Sequence, residues 1–188
     1  MLGQIGTLLV GTIIGLVVYL ALMRFYMQAF RAPFRNPVGQ FVLAFTDWGV
    51  QPLRKIIPGW RGLDLASFVF AVVLELIMVA LTRALIPGRS VSLGDWLIHS
   101  TIGIAESSIH LLIFVVLVDF VLSWVNPYTP IAPVLAALTR PFYGFFRRFI
   151  PPIGGFDLSP LLVILACQVA LIVLRHIGGS IPPGAIVG

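Results

Sequence analysis

Charge is what this chain has least of: Asp, Glu, Lys and Arg make up 10% of its 188 residues. A water-soluble domain carries roughly 25%, and a surface that faces water on every side cannot be built from so few. A soluble enzyme is thereby excluded, and so is a disordered chain. Cysteine occurs once, as Cys167, which excludes the disulfide framework of a small secreted scaffold. Phosphate-cradling glycine loops, HExxH, CxxC and CxxCH are all missing. No catalytic group, metal site or cofactor is therefore expected. His99 and His110 are eleven residues apart, but His99 stands too close to an expected helix start for the pair to be read as haem ligands.

What is present is apolar. Hydrophobic residues make up 59% of the chain and the mean hydropathy is +1.06. Twelve Lys and Arg against seven Asp and Glu give a net charge of +5, which in another setting would suggest nucleic acid. Here the cations stand between long apolar runs, which points to a membrane protein with its basic residues on one side and no nucleic-acid partner.

Crossing a hydrocarbon core about 30 Å thick takes around 20 helical residues. Four stretches qualify: 5–23 without any charge, 65–86 with Glu75 and Arg83, 102–125 with Glu106, His110 and Asp119, and 160–177 with Gln168. Residues 91–100 are too short a run to cross and read as a connecting or interfacial piece. The first run has no Lys or Arg before it and Arg24 after it, the reverse of a signal peptide, so it reads as a retained helix. Nine of the twelve cations fall at or within the first and third inter-helix loops. The positive-inside rule then puts both long loops in the cytoplasm and both termini in the periplasm.

Moved by 93 residues, the chain lies on itself without gaps: 46–67 reads TDWGVQPLRKIIPGWRGLDLAS and 139–160 reads TRPFYGFFRRFIPPIGGFDLSP. Thr46/Thr139, Arg54/Arg147, Pro58/Pro151, Gly62/Gly155 and Asp64/Asp157 are identical, and Lys55/Arg148 keeps its charge. The expected fold is an all-α membrane protein. Four transmembrane helices form two parallel helix-loop-helix repeats, residues 1–90 and 91–188, with amphipathic interfacial helices in the two long loops.

These motifs, with LMRFYMQAFRAPFRNPVGQF and LSWVNP, resemble the YggT family of small bacterial and plastid membrane proteins. The resemblance covers nearly all of the chain. It implies an inner-membrane protein linked to osmotic and ion stress, to cell-division neighbours, or in plastids to cofactor assembly on membrane cytochromes. One departure is Asp119, which stands where an Arg is common in that family.

The candidate residues fall into four groups. In the first loop Val38, Phe41, Val42, Phe45 and Trp48 share one helical face, opposite Asp47 and Arg54. In the second, Val134, Leu135, Leu138, Phe142, Phe145, Phe146 and Phe149 oppose Arg140, Tyr143 and Arg147. Such faces suit helices in the headgroup plane, with Trp48, Lys55, Arg140 and Arg148 meeting anionic lipid; the alternative is a groove for a partner's helix. Pro52 and Pro141 are expected to break or restart these helices. Asp64 and Asp157 cap the helices that follow them, or pair with Arg54 and Arg147 of their own loops. Gly11 and Gly15, in a small-residue stripe, suit close helix packing, internal or between copies in a homo-oligomer.

Glu75 lies near mid-helix, where an acid costs roughly 2.5–3.5 kcal/mol on insertion scales, and so faces protein. The repeat sets Gln168 at equal depth as its hydrogen-bond partner, and Glu106 and His110 lie one turn apart on the next helix. Two functions are compatible with these residues: a non-enzymatic membrane scaffold or assembly factor, or a small ion- or proton-conducting transporter that uses Glu75.

Overall fold

A computed structural model describes residues 2–60, 62–84, 93–150 and 157–180. Pro151 and Gly155 of the turn motifs lie outside the described residues. Among those described there are six α-helices: α1 Leu2–Ala29, α2 Pro37–Arg54, α3 Leu65–Ala84, α4 Leu93–Val125, α5 Ala132–Phe146 and α6 Ser159–Ser180. The order long, short, long occurs twice. The four long helices, α1, α3, α4 and α6, are long and apolar enough to cross a membrane.

Two helices are longer than their apolar cores suggest. α1 runs on to Ala29 because nothing in FYMQAF stops it. It ends in a Schellman closure: Ala32 N–H donates to Met27 O at 2.7 Å and Arg31 N–H to Gln28 O at 3.1 Å, with Arg31 itself at φ +55°. Arg24 thus belongs to the helix and not to the loop. α4 begins at Leu93, so most of the stretch expected as a separate connecting piece is its first two turns. Asp95 there suits the positive end of the helix dipole.

Neither proline breaks its helix. α2 continues past Pro52 to Arg54, and α5 passes through Pro141 to Phe146. Both prolines are exposed, so their rings face outward, where a short helix tolerates them. α2 begins on Asn36, whose Oδ1 accepts from Gly39 N–H at 2.9 Å, with Pro37 in the first turn.

One core joins the two halves. Val18, Ala21, Leu22 and Met27 of α1, Ala66 and Ala71 of α3, Val115 of α4, and Val134 and Leu138 of α5 are buried together. α1 packs most extensively on α3, and α4 on α6. The α1 contact is concentrated toward its C-terminal end, where alanine lets the backbones approach. The small-residue stripe does not serve this purpose at Gly11, which has nothing within 4 Å of where a side chain would begin; Gly15 meets only Met78 Sδ at 4.0 Å. The tight crossing is elsewhere. A methyl group at Gly49 of α2 would sit 2.2 Å from the Phe70 ring of α3.

Candidate functional site

The aromatic residues of the expected faces of α2 and α5 are largely exposed, while several aliphatic residues of the same faces are packed. α2 buries Val42, Thr46, Gly49 and Val50, and leaves Phe41, Phe45 and Trp48 exposed. α5 buries Val134, Leu135, Leu138, Thr139 and Tyr143, and exposes Phe145, with Phe149 exposed just beyond. The reason lies in the buried polar groups: Thr46, Thr139 and Tyr143 face inward to meet a polar cluster in each half, which rotates the aromatic row outward. Trp48 is 65% exposed, its ring edge-on to Phe70 at 5.2 Å. Lys55, Arg140 and Arg148 are exposed beside these aromatic rows.

In the first half the cluster is built on Asp64, which immediately precedes α3. Arg54 at the end of α2 forms an ion pair with Asp64 through Nη2, with Nε 3.3 Å from Oδ1. Ser67 Oγ donates to Asp64 Oδ2 at 2.6 Å. Burial alone would raise the Asp64 carboxyl, but the bonds from Arg54 and Ser67 outweigh it and hold the pKa below the usual carboxylate value. The same bond to Asp64 raises the Arg54 guanidinium above its usual value. Arg24 of α1 completes the cluster: only 1% exposed, it donates to Thr46 Oγ1 at 2.8 Å and Asp47 Oδ1 at 2.7 Å, and its Nε lies 3.5 Å from Asp64 Oδ2. One guanidinium therefore ties α1, α2 and the start of α3 together.

The second half repeats the lower part of this cluster. Arg147 donates to Asp157 Oδ2 from Nε at 3.0 Å and Nη2 at 2.5 Å, and Asp157 Oδ1 accepts from Ser159 N–H at 2.9 Å. These bonds overcome burial and lower the Asp157 carboxyl too. Capping and ion pairing are thus combined in one carboxylate, at both Asp64 and Asp157. Gly62, in the turn before Asp64, takes φ +85°, a left-handed conformation that glycine adopts at no steric cost. Pro58 is exposed in the same turn. Above Asp157, α4 contributes Asp119, 3.2 Å from Thr139 Oγ1.

Glu75 is 3% exposed and packs on α4, not α6. A methyl group at Gly103 would lie 2.1 Å from its Oε1, so the carboxyl occupies the notch that this glycine leaves. Its Oε2 has no hydrogen-bond partner among the described residues. Gln168 does not supply one: it is exposed, and α6 makes no contact with α3 among the described residues. Equal depth in sequence did not mean adjacency, because α4 stands between the two helices. Glu106, three residues beyond Gly103, lies near Arg175 of α6, with Nε 3.6 Å from Oε1, and His110 Nδ1 donates to the Glu106 carbonyl at 2.8 Å. Arg24 is the residue that reading the sequence missed as a site, being counted with the loop cations. The signal was the unbroken helical run that follows it.

A family model described as CCB3/YggT matches residues 3–85 and again 98–178. The chain is 35% identical over 175 residues to an "Uncharacterized protein in proC 3'region" of Vibrio alginolyticus, covering 92% of this chain and 95% of that one. It is 34% identical over 184 residues to "Uncharacterized protein YggT" of Escherichia coli K12, covering 95% of both. A shorter match, 44% over 52 residues, is to "YlmG homolog protein 2, chloroplastic" of Arabidopsis thaliana, 27% of this chain and 21% of that one. No solved structure matches. With four spanning-length apolar helices, a family model matched along most of its length, and relatives similar almost end to end, the chain belongs to the CCB3/YggT family.

Proposed function

We propose that this protein is a non-enzymatic scaffold or assembly factor of the bacterial inner membrane, with two basic, aromatic surfaces that meet anionic headgroups and a membrane-protein partner. The observation that carries this reading is the ion pair at the end of each short helix, Arg54–Asp64 and Arg147–Asp157. Each pair pins an amphipathic helix to the next span, and so fixes in place an outward row of aromatics and the exposed cations Lys55 and Arg148 beside it. Exposed aromatic rings next to cations suit the headgroup layer. The two halves act as parallel repeats, 1–90 and 91–188, with both short helices on the cytoplasmic face and both termini periplasmic. The eight cations within the two long loops, Arg24 now counted with α1, support that orientation. A task in osmotic or ion stress, or beside the cell-division machinery, suits such a platform.

A second reading, a small proton- or ion-conducting transporter, is favoured by the buried Glu75 Oε2, which has no hydrogen-bond partner among the described residues. One experiment separates the two. A photocrosslinking residue is placed at Gln51 or Gly144 in native membranes, beside each platform, and the protein is also reconstituted in vesicles carrying a pH or potassium gradient. The scaffold reading expects discrete protein adducts that are lost in Lys55→Glu/Arg148→Glu and kept in Glu75→Gln, with no specific flux. A gradient that collapses with the wild type and holds with Glu75→Gln overturns it.

A further inference from the structure

The polar clusters of the two halves are filled differently. In the first, α1 sends a cation, Arg24, to Thr46 and on to the Arg54–Asp64 pair. In the second, α4 sends an anion, Asp119, to the corresponding Thr139. Thr139 Oγ1 also lies 3.0 Å from the Leu135 carbonyl, and its single proton serves one acceptor at a time. Between Asp119 and the Arg147–Asp157 pair lies a cavity of about 430 Å³, bordered by Ser123, Trp124 and Tyr143 as well. Tyr143 is 7% exposed and borders this space, and its hydroxyl stands beside Asp119 and Thr139 without a well-formed hydrogen bond to any of the described residues.

Two carboxylates and one guanidinium leave this cavity with a formal charge of −1, in a chain whose net charge is +5. Arg147 is already engaged by Asp157, so the charge balance of the lining suits a cation. Burial, and then the nearby Asp119 charge, keep the Tyr143 phenol above its usual pKa, so the hydroxyl retains its proton and offers its lone pairs to a donor. Phe120 and Trp124, 5.4 Å apart, add aromatic faces that attract an organic cation. A bare metal ion fits less well, since no group of three metal-ligating side chains occurs among the described residues.

We propose that this cavity binds an alkyl-guanidinium or alkyl-ammonium group, held between Asp119 and Asp157 as Arg24 is held between Asp47 and Asp64. The group is the side chain of a partner protein's Arg or Lys, or a free polyamine; the chemistry is the same. The primary test is a titration of N-methylguanidinium and of spermidine into the protein in nanodiscs, read by calorimetry. Saturable binding is expected, weakened at least about tenfold in Asp119→Asn and about tenfold in Tyr143→Phe. Asp119→Arg supplies the guanidinium from within: it is expected to fold, to melt no lower than the wild type, and to bind neither probe. A photocrosslinker at Ser123 in native membranes then identifies the source. A protein adduct that vanishes in Asp119→Arg names a partner's side chain; spermidine co-purifying with the wild type but not with Asp119→Arg names a free polyamine. No saturable binding of either probe by the wild type, or equal binding by folded Asp119→Arg, overturns the proposal.

Discussion

Replacing Arg24 by Leu is expected to destabilise the fold by about 3 kcal/mol. Removing one partner of a buried ion pair costs about 3–5 kcal/mol, because the other charge is left uncompensated. The lower end applies here: Asp64 keeps Arg54, and the side chain of Asp47 is 38% exposed and so reaches water. Thr46 retains its bond to the Val42 carbonyl at 2.6 Å. On the scale of domains of this size, a loss of about 3 kcal/mol lowers Tm by about 6–12 °C. Thermal unfolding of the detergent-solubilised protein, followed by near-ultraviolet circular dichroism, gives this number directly. Arg24→Lys is expected to recover only about half, since an ammonium lacks the planar fork that reaches Thr46, Asp47 and Asp64 together. A double-mutant cycle with Asp64→Asn is expected to show a coupling of about 1 kcal/mol or more. A Tm for Arg24→Leu within about 1 °C of the wild type, or strict additivity in the cycle, refutes the clamp.

Three further outcomes are expected. Gly49→Ala drives a methyl into the Phe70 ring and is expected to cost about 1–3 kcal/mol; an unchanged Tm shows that α2 sits further from α3. Because the Asp64 and Asp157 carboxyls titrate below their usual value in the folded protein, they bind fewer protons than in the unfolded chain. Their stabilisation is thus complete above the usual carboxylate range and is lost as pH falls below about 4; a pH series of Tm checks this, with the slope flattened in Asp64→Asn/Asp157→Asn. Gln168→Leu is expected to change stability by less than about 0.5 kcal/mol, since its side chain faces outward; a larger loss in thermal unfolding shows that it has a buried partner after all.

Spans and loops were legible because they rest on one-dimensional properties: length, apolarity and the placing of cations. The links Arg54–Asp64 and Arg147–Asp157 were legible too, since each closes over ten residues and the same pattern occurs twice. What failed was anything that depends on which helix neighbours which. Gln168 and Glu75 share a depth, but α4 separates them, and no periodicity in either segment encodes that. The packed face of α2 was not legible either, because Thr46 and the close fit of Gly49 to Phe70 decide its rotation, and a threonine and a glycine carry little weight in a pattern of apolar residues. Arg24 was hidden by its own charge, which draws it toward the loop in any hydropathy reading. The Tyr143 cavity needed coordinates, since it exists only through the different charges that α1 and α4 present to matching threonines.

The helices are unequal in reach. At about 1.5 Å per residue, the 33 residues of α4 extend about 50 Å, whereas the 20 of α3 and 22 of α6 extend about 30–33 Å. A hydrocarbon layer of about 30 Å matches α3 and α6 and leaves α4 too long by about two-thirds. A tilt of 20° shortens its vertical height only to about 47 Å. The first turns of α4 stay within the bundle: Asp95 and Ser100 are buried there, and Trp96 Nε1 donates to the Leu76 carbonyl of α3 at 3.0 Å. Thickening the bilayer would therefore strain α3 and α6 first while α4 still spanned it, so the two shorter helices set the membrane thickness in which this protein is at rest.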